Sequence, residues 1–419
     1  MGLITLALLL LGAGAVLVFI LHPFRAPQVE FQDEAFKNAL CTALGKDSLY
    51  QKDLDAITDL IIIGDEAALV NSGEEVQITD TGCILGGQEM TGTGGIRSLR
   101  DLGSLPNLQS LVVVNQQISE FPELDSAALT EVCVAHNCLS DLQPLMSLTN
   151  LKVLDASYNL LVDMSGFSCG SALESLYLSG NAISNLDFFV GSSNSTLKNL
   201  RLDSNVLVDI MPLSYLIGLE TLDLSNNEIA NAQYLNSSFG MVSLNISGNR
   251  IDCIDNISVM DELRELDASN NQIRSLYNVY EGIEKINLSN NAFEGAFEAD
   301  YFPDAVEMSL GFNRIDSLIG MSACTKLQKL SIAYTGIADL SMLAFDNALT
   351  YLDISGDSIG SVEALVPWCT SLTALNVSDA DFSGAEALGG LAQLEKIYAM
   401  WVPDIDNLRS LLPAVEVIG

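Results

Sequence analysis

Asn205 to Asn227 reads NVLVDIMPLSYLIGLETLDLSNN, and its apolar residues keep a rhythm that neither a helix nor an isolated strand produces. Leu207, Ile210, Leu213, Leu216, Leu219 and Leu222 follow one another at intervals of three, Leu224 follows at two, and Asn227 closes the unit. A period of three relaxing to two belongs to a coil that winds round an apolar axis and lays down one short strand per turn. Leu222 and Leu224 then point inward while Asp223 faces out, because side chains alternate across a strand. Asn227 falls where the coil leaves the strand, with two N–H donors and one acceptor for backbone groups that the turn leaves unpaired. Pro212, which has no N–H to lose, belongs on the outer side, where a 22-residue coil has room for only a turn of tight helix.

The same position recurs at Gln116, Asn137, Asn159, Asn181, Asn205, Asn227, Asn249, Asn271, Asn291, Asn313, Thr335, Asp357, Ala380 and Val402. Fourteen coils follow from that count, and with strands about 4.8 Å apart they predict an inner wall on the order of 60 Å long. One coil cannot bury enough apolar surface to offset the cost of ordering it, so the array must fold by stacking. As the Asn series gives way to Thr, Asp, Ala and Val, the last coils are expected to be looser.

The pattern L-x-x-L-x-L-x-x-N, as in Leu219-x-x-Leu222-x-Leu224-x-x-Asn227, resembles the leucine-rich repeat family. Outer segments such as Leu139-x-x-Leu142-x-Pro144-Leu145-x-x-Leu148 are similar to the 22-residue class shared by internalins and the eukaryotic phosphatase-regulator repeats. The resemblance implies an α/β leucine-rich repeat solenoid, a curved arc. It would carry a parallel β-sheet on the concave face, tight turns on the convex face and an N-terminal helical cap. It also implies recognition of a protein partner.

Gly2 to Leu21, GLITLALLLLGAGAVLVFIL, is twenty positions without a charge, long enough for a membrane-spanning anchor and longer than the core of a signal peptide. Arg25 and Lys37 follow it and no Lys or Arg precedes it, which read literally would leave the repeats in the cytoplasm. Two cations are a thin signal, and an anchored protein with its repeats on the cell surface is the expectation. Val29 to Asp47 predicts an amphipathic helix with Phe31, Ala35, Phe36, Leu40, Ala43 and Leu44 on one face and Gly45 as its stop. This entry is similar to the cap of internalin-like bacterial surface proteins. Glu66 to Gly95 breaks the rhythm and is read as an insertion, with Val76 and Ile78 placed to pair as a hairpin. The expected division is therefore 1–28 anchor and linker, 29–65 cap and first strand, 66–95 insertion, and 96–419 array with its end cap.

The net charge of −36 argues against nucleic acid and anionic membrane surfaces as partners. It favours a protein surface that is basic or rich in hydrogen-bonding groups, held by an association that salt weakens. Thr91-Gly92-Thr93-Gly94-Gly95 lacks the following Lys-Ser/Thr of a phosphate loop, and no cofactor is expected. His22 and His136 are the two histidines, so a catalytic triad has little to draw on. Cys133, His136 and Cys138 invite a zinc reading, but the repeat template puts Cys133 on the wall and Cys138 beyond the turn, with no fourth ligand. The eight cysteines are too scattered for a disulfide framework and read mostly as small apolar filler. The sequons at Asn245, Asn287 and Asn376 fall inside the strand pattern and read as by-products of the repeat.

The outward column of the strands runs Val112, Cys133, Asp155, Tyr177, Arg201, Asp223, Asn245, Asp267, Asn287, Ser309, Ser331, Asp353, Asn376 and Tyr398. The two residues before each ladder position are expected to open onto the same wall. Two aromatic groups result, His136, Tyr158 and Tyr177 beside Arg201, and Phe312, Tyr334 and Tyr351 with Tyr398 and Trp401. Together with Asp223 and Asp267 these are the candidate contact residues of a non-enzymatic recognition protein. Two alternatives use the same repeats: a binder of cell-wall glycan with the rings as sugar platforms, and a cytoplasmic scaffold at the inner membrane face.

Overall fold

The structure, a computed structural model, describes residues 27–124, 126–168, 170–191, 196–345, 348–403 and 405–419, and the backbone of 5–11 and 14–20. Each coil contributes a short strand to one open, largely parallel sheet of 17 strands. It begins at Ala67–Val70, which pairs antiparallel with Asp59–Ile63; that strand pairs parallel with Ser110–Val114. From there each coil adds its strand in order, as when Thr221–Asp223 sits between Asn199–Arg201 and Ser243–Asn245 in unbroken register. The last strand, Glu416–Ile418, pairs with Lys396–Tyr398.

The alternation within the strand explains the core. Leu222 and Leu224 are buried and Asp223 between them is half-buried on the opposite, concave side. The three-residue intervals place Leu207, Ile210, Leu213, Leu216 and Leu219 in one continuous apolar spine with their counterparts in neighbouring coils. On the convex side the chain turns through short 3-10 segments such as Gln143–Ser147 and Met211–Tyr215, the latter with Pro212 in its first turn. Pro fits there because the first N–H groups of a helix have no internal partner.

The ladder residues close the inner turns. Asn227 donates through Nδ2 to Leu224 O and Ser225 O of its own coil at 3.0 and 3.2 Å, and to Leu202 O of the preceding coil at 3.0 Å. Its Oδ1 accepts from Leu207 N at 2.9 Å. One amide therefore serves four backbone groups of the turn, and because Leu202 O and Leu224 O are shared with the amides of Asn205 and Asn249, the ladder ties adjacent coils together. Gln116 does part of the same work in the first coils, accepting from Ile96 N at 3.0 Å and donating to Gly64 O at 2.7 Å.

The N-terminal helix runs Glu34–Leu44, with Phe36 and Leu40 buried and Gly45 ending it at φ 63°. It starts later than the apolar pattern suggested because Asp33 caps it. Asp33 accepts from Phe36 N at 3.0 Å and, through its other oxygen, from Arg97 N and Ser98 N at 2.8 and 2.9 Å. Asp101 answers from the array by accepting from Gln32 N and Asp33 N. Burial pushes the Asp33 carboxyl up, but the N–H donors of Arg97, Phe36 and Ser98 outweigh it and hold the group below its usual value. Its contribution is therefore present above the unfolded value of 3.8 and lost as pH falls through the lower folded-state value. Asp33→Ala is expected to cost about 2 kcal/mol at pH 7, a deficit that urea midpoints should show shrinking towards pH 3.

A membrane-crossing helix over Gly2 to Leu21 is not seen. Thr5–Leu11 and Gly14–Ile20 instead form an antiparallel strand pair, Thr5 opposite Ile20, and no helix among the described residues is long and apolar enough to cross a membrane. Val16, Val18 and Ile20 favour extended backbone. Within Glu66 to Gly95 the hairpin placed at Val76 and Ile78 is part of a larger unit. Val76–Ile78, Cys83–Leu85 and Gln88–Met90 make a three-stranded antiparallel sheet that lies over the concave side of the first coils. Its Cys83 and Leu85 pack with Ile61, Ile63, Val114 and Ala135, and Val112 and Cys133 are drawn into the same second core.

Candidate partner-binding face

Two columns of strand side chains face the concave side. The third residue of each strand forms the expected column. The first residue forms another that sequence reasoning passed over, and it carries an in-register series of alternating charge, Glu265, Lys285, Glu307 and Lys329. Lys285 reaches Glu265 at 2.5 Å and Lys329 reaches Glu307 at 2.7 Å; such exposed pairs add little stability, but they neutralise the lysines of the wall.

The carboxylates of the third column are held in place. Asp223 accepts from Ser225 N at 2.9 Å and from Asn245 Nδ2 at 3.3 Å, and Asp267 does the same with Ser269 N and Asn287 Nδ2 at 2.9 and 3.0 Å. Asp155 accepts from Ser157 N at 2.9 Å. Burial pushes its carboxyl above the usual range, opposed by Ser157 and by the charge of Arg201. Arg201 itself lies over the Tyr177 ring, 5.3 Å from its centre, within cation–π range. Among the described residues no carboxylate lies within ion-pair distance of it.

A third row comes from the residue immediately before each ladder position, which takes positive φ in every coil, from Asn115 at 57° to Trp401 at 65°. Gly180, Gly248 and Gly356, with Asn226, Asn270 and Asn290, fill this place at little cost, and that run of Gly and Asn was the readable signal. His136, Tyr158, Phe312, Tyr334 and Trp401 adopt the same conformation against their preference. It aims their rings along the row. His136 stacks on Tyr158 with ring centres 4.4 Å apart, and Phe312 on Tyr334 at 4.8 Å. Each pair ends over a glycine, since a Cβ on Gly180 would lie 2.3 Å from Tyr158 Cδ1 and one on Gly356 2.2 Å from Tyr334 Cδ1. Tyr334 spans its glycine to donate to Asp379 at 3.1 Å. Of the two residues expected to open onto the wall before each ladder position, the earlier one is turned back into the coil at Ser157, Ser179, Ser225, Ser269 and Ser355, which are buried, while Asp203 is half-buried and Met400 is exposed.

The aromatic candidates thus fall in two places, with Asp223 and Asp267 on the wall between them. Near the insertion, His136 Nε2 donates to Thr79 O at 2.7 Å, a carbonyl having only acceptor capacity. His136, Tyr158 and Tyr177 are half-buried there beside exposed Arg201. Far from it, Phe312, Tyr334 and Trp401 are 57%, 42% and 81% exposed, and Tyr351 and Tyr398 are half-buried within the two strand columns. Cys138 is exposed beyond the turn, away from Cys133. Among the described residues no three His, Cys, Asp or Glu side chains are grouped to hold a metal ion, and Cys41, Cys83, Cys133, Cys138, Cys253 and Cys324 are unbridged.

Among solved structures the chain is similar to an internalin, InlF, of Listeria monocytogenes, with 20% identity, 88% of this chain and 95% of that one covered, and a TM-score of 0.64. This is an internalin-like leucine-rich repeat fold. A leucine-rich repeat protein of Leptospira interrogans matches at 19% identity over 77% of this chain and 93% of its own, with a TM-score of 0.65. A chain of the LRIM1/APL1C complex matches at 18% over 82% and 66%, with a TM-score of 0.53. No family model matches the sequence, and no curated protein matches it. At these identities the internalin-like likeness rests on coil geometry and not on shared surface residues.

Proposed function

We propose that this is a non-enzymatic recognition protein that binds a protein partner along its acidic concave face. The observation that carries the reading is the wall itself, a rigid parallel sheet whose carboxylates are held by backbone and amide donors and whose far end exposes Phe312, Tyr334 and Trp401. Exposed rings on a preorganised surface are common anchors of protein interfaces. The solved assembly of LRIM1 with APL1C supports a protein as the kind of partner such a fold takes. The charge of −36 favours a basic partner surface. We further propose that the apolar run ahead of the cap tethers the repeats at the cell surface, which protease treatment of intact cells tests directly: loss of the repeats supports it and survival refutes it.

Tyr334→Ala and Trp401→Ala are expected to weaken partner retention at least tenfold each, on the order of 1.4 kcal/mol or more, with an unchanged melting temperature for Trp401→Ala. Retention should also fall as salt is raised. Full retention by both variants would refute a binding role for this end of the wall.

A further inference from the structure

The insertion presents an edge that no strand of the fold completes. Val76–Ile78 pairs with Cys83–Leu85 on one side and with no strand on the other among the described residues. Beside that edge lies a groove of about 430 Å³, floored by the concave sides of Ser110–Val114, Glu131–Cys133 and Val153–Asp155 and reaching Tyr177 and Arg201.

A free strand edge offers N–H and C=O groups in a row, the template for strand addition. Here the edge stands over a floor, so alternate side chains of an added strand would point down onto Val153, Asp155 and Tyr177 and the others out to solvent. The lining is acidic: Glu74, Glu75 and Glu131 are exposed at the rim and Asp155 lies in the floor, against the single cation Arg201. We propose that this slot binds an extended segment of a partner protein with lysine or arginine at alternate positions, added as a fourth strand at Val76–Ile78. The assignment rests on the concave-face reading above and narrows it to one place and one backbone conformation. An acidic segment would set like charges against Glu74, Glu75 and Glu131. A helical or flat partner surface would not reach the edge and the floor together.

Two end-capped, fluorescein-labelled peptides, KVKVKVK and EVEVEVE, titrated into the full chain and followed by anisotropy and by amide exchange, test this. The lysine peptide is expected to bind, to slow exchange of the amides of residues 76–78, and to lose at least tenfold in affinity in the double variant Glu74→Lys/Glu75→Lys. Cys83 is fully buried beneath the insertion, so an unchanged rate of its modification by a thiol reagent shows that the variant keeps the insertion packed. The proposal is overturned if the lysine peptide fails to bind at about 1 mM, if the glutamate peptide binds as well, or if protection appears only on other parts of the wall. Loss of partner retention in Trp401→Ala without any binding of the lysine peptide would remove the slot and leave the broader reading standing.

Discussion

Asn227→Ala is expected to lower the stability of the array by about 3 kcal/mol, read as a fall in the urea midpoint at constant slope. The substitution removes no apolar contact of consequence. It leaves Leu207 N–H without its acceptor and takes one donor each from Leu202 O, Leu224 O and Ser225 O, which keep Asn205 Nδ2, Asn249 Nδ2 and Ser204 N respectively, in a turn where Asn227 is 8% exposed. A buried polar group without a partner costs about 1–3 kcal/mol, and the loss of one of two donors at three carbonyls adds to it. Asn226 is the natural control. It is exposed and sits at φ 54°, a conformation glycine takes as readily as asparagine, so Asn226→Gly is expected to change stability by under about 0.5 kcal/mol. If the two variants melt together, the ladder is not what holds the inner turns.

Asp357→Asn should do the opposite and stabilise the protein by about 2 kcal/mol at pH 7. Asp357 stands in the ladder position and is 3% exposed. It accepts from Gly336 N at 2.7 Å and from the Thr335 hydroxyl at 3.3 Å, but when ionised it has nothing to donate to the carbonyls that an amide would serve. Burial pushes its carboxyl from 3.8 up to about 6, only partly opposed by the donors of Gly336 and Thr335. An acid whose pKa is higher in the folded state binds its proton more tightly there. The native fold therefore loses stability as pH rises from about 4 through 6 and carries the full penalty above that. The advantage of the Asn variant should accordingly be largest near pH 7 and shrink towards pH 4. A gain independent of pH would show that the carboxylate is not the cause.

The solenoid was legible because its signal is redundant: Leu207 to Leu224 repeats a spacing that one coil after another restores, and the asparagines mark each turn. Site features were less legible where they depend on what covers the wall. The strands Leu60-Ile61-Ile62-Ile63 and Leu111-Val112-Val113-Val114 are apolar at every position, and a strand with two apolar faces is one buried on both. That pattern pointed to a cover over the first coils, but the covering strands are three residues long and lie in a Gly- and Thr-rich stretch where no periodicity can register. The stacking of Phe312 on Tyr334 depends on a backbone conformation that the aromatic residues conceal and the glycines of the same row reveal. At the N-terminus hydropathy measured length and charge, and neither quantity distinguishes a helix from two strands.

The packed insertion gives the arc a direction. A partner bound along the inner surface, as proposed, would meet the Thr79–Gly82 turn at one end and open coils towards Trp401 at the other. The same partner turned end for end would collide with that turn. Shape therefore selects the orientation of whatever lies in the arc before any individual contact is made.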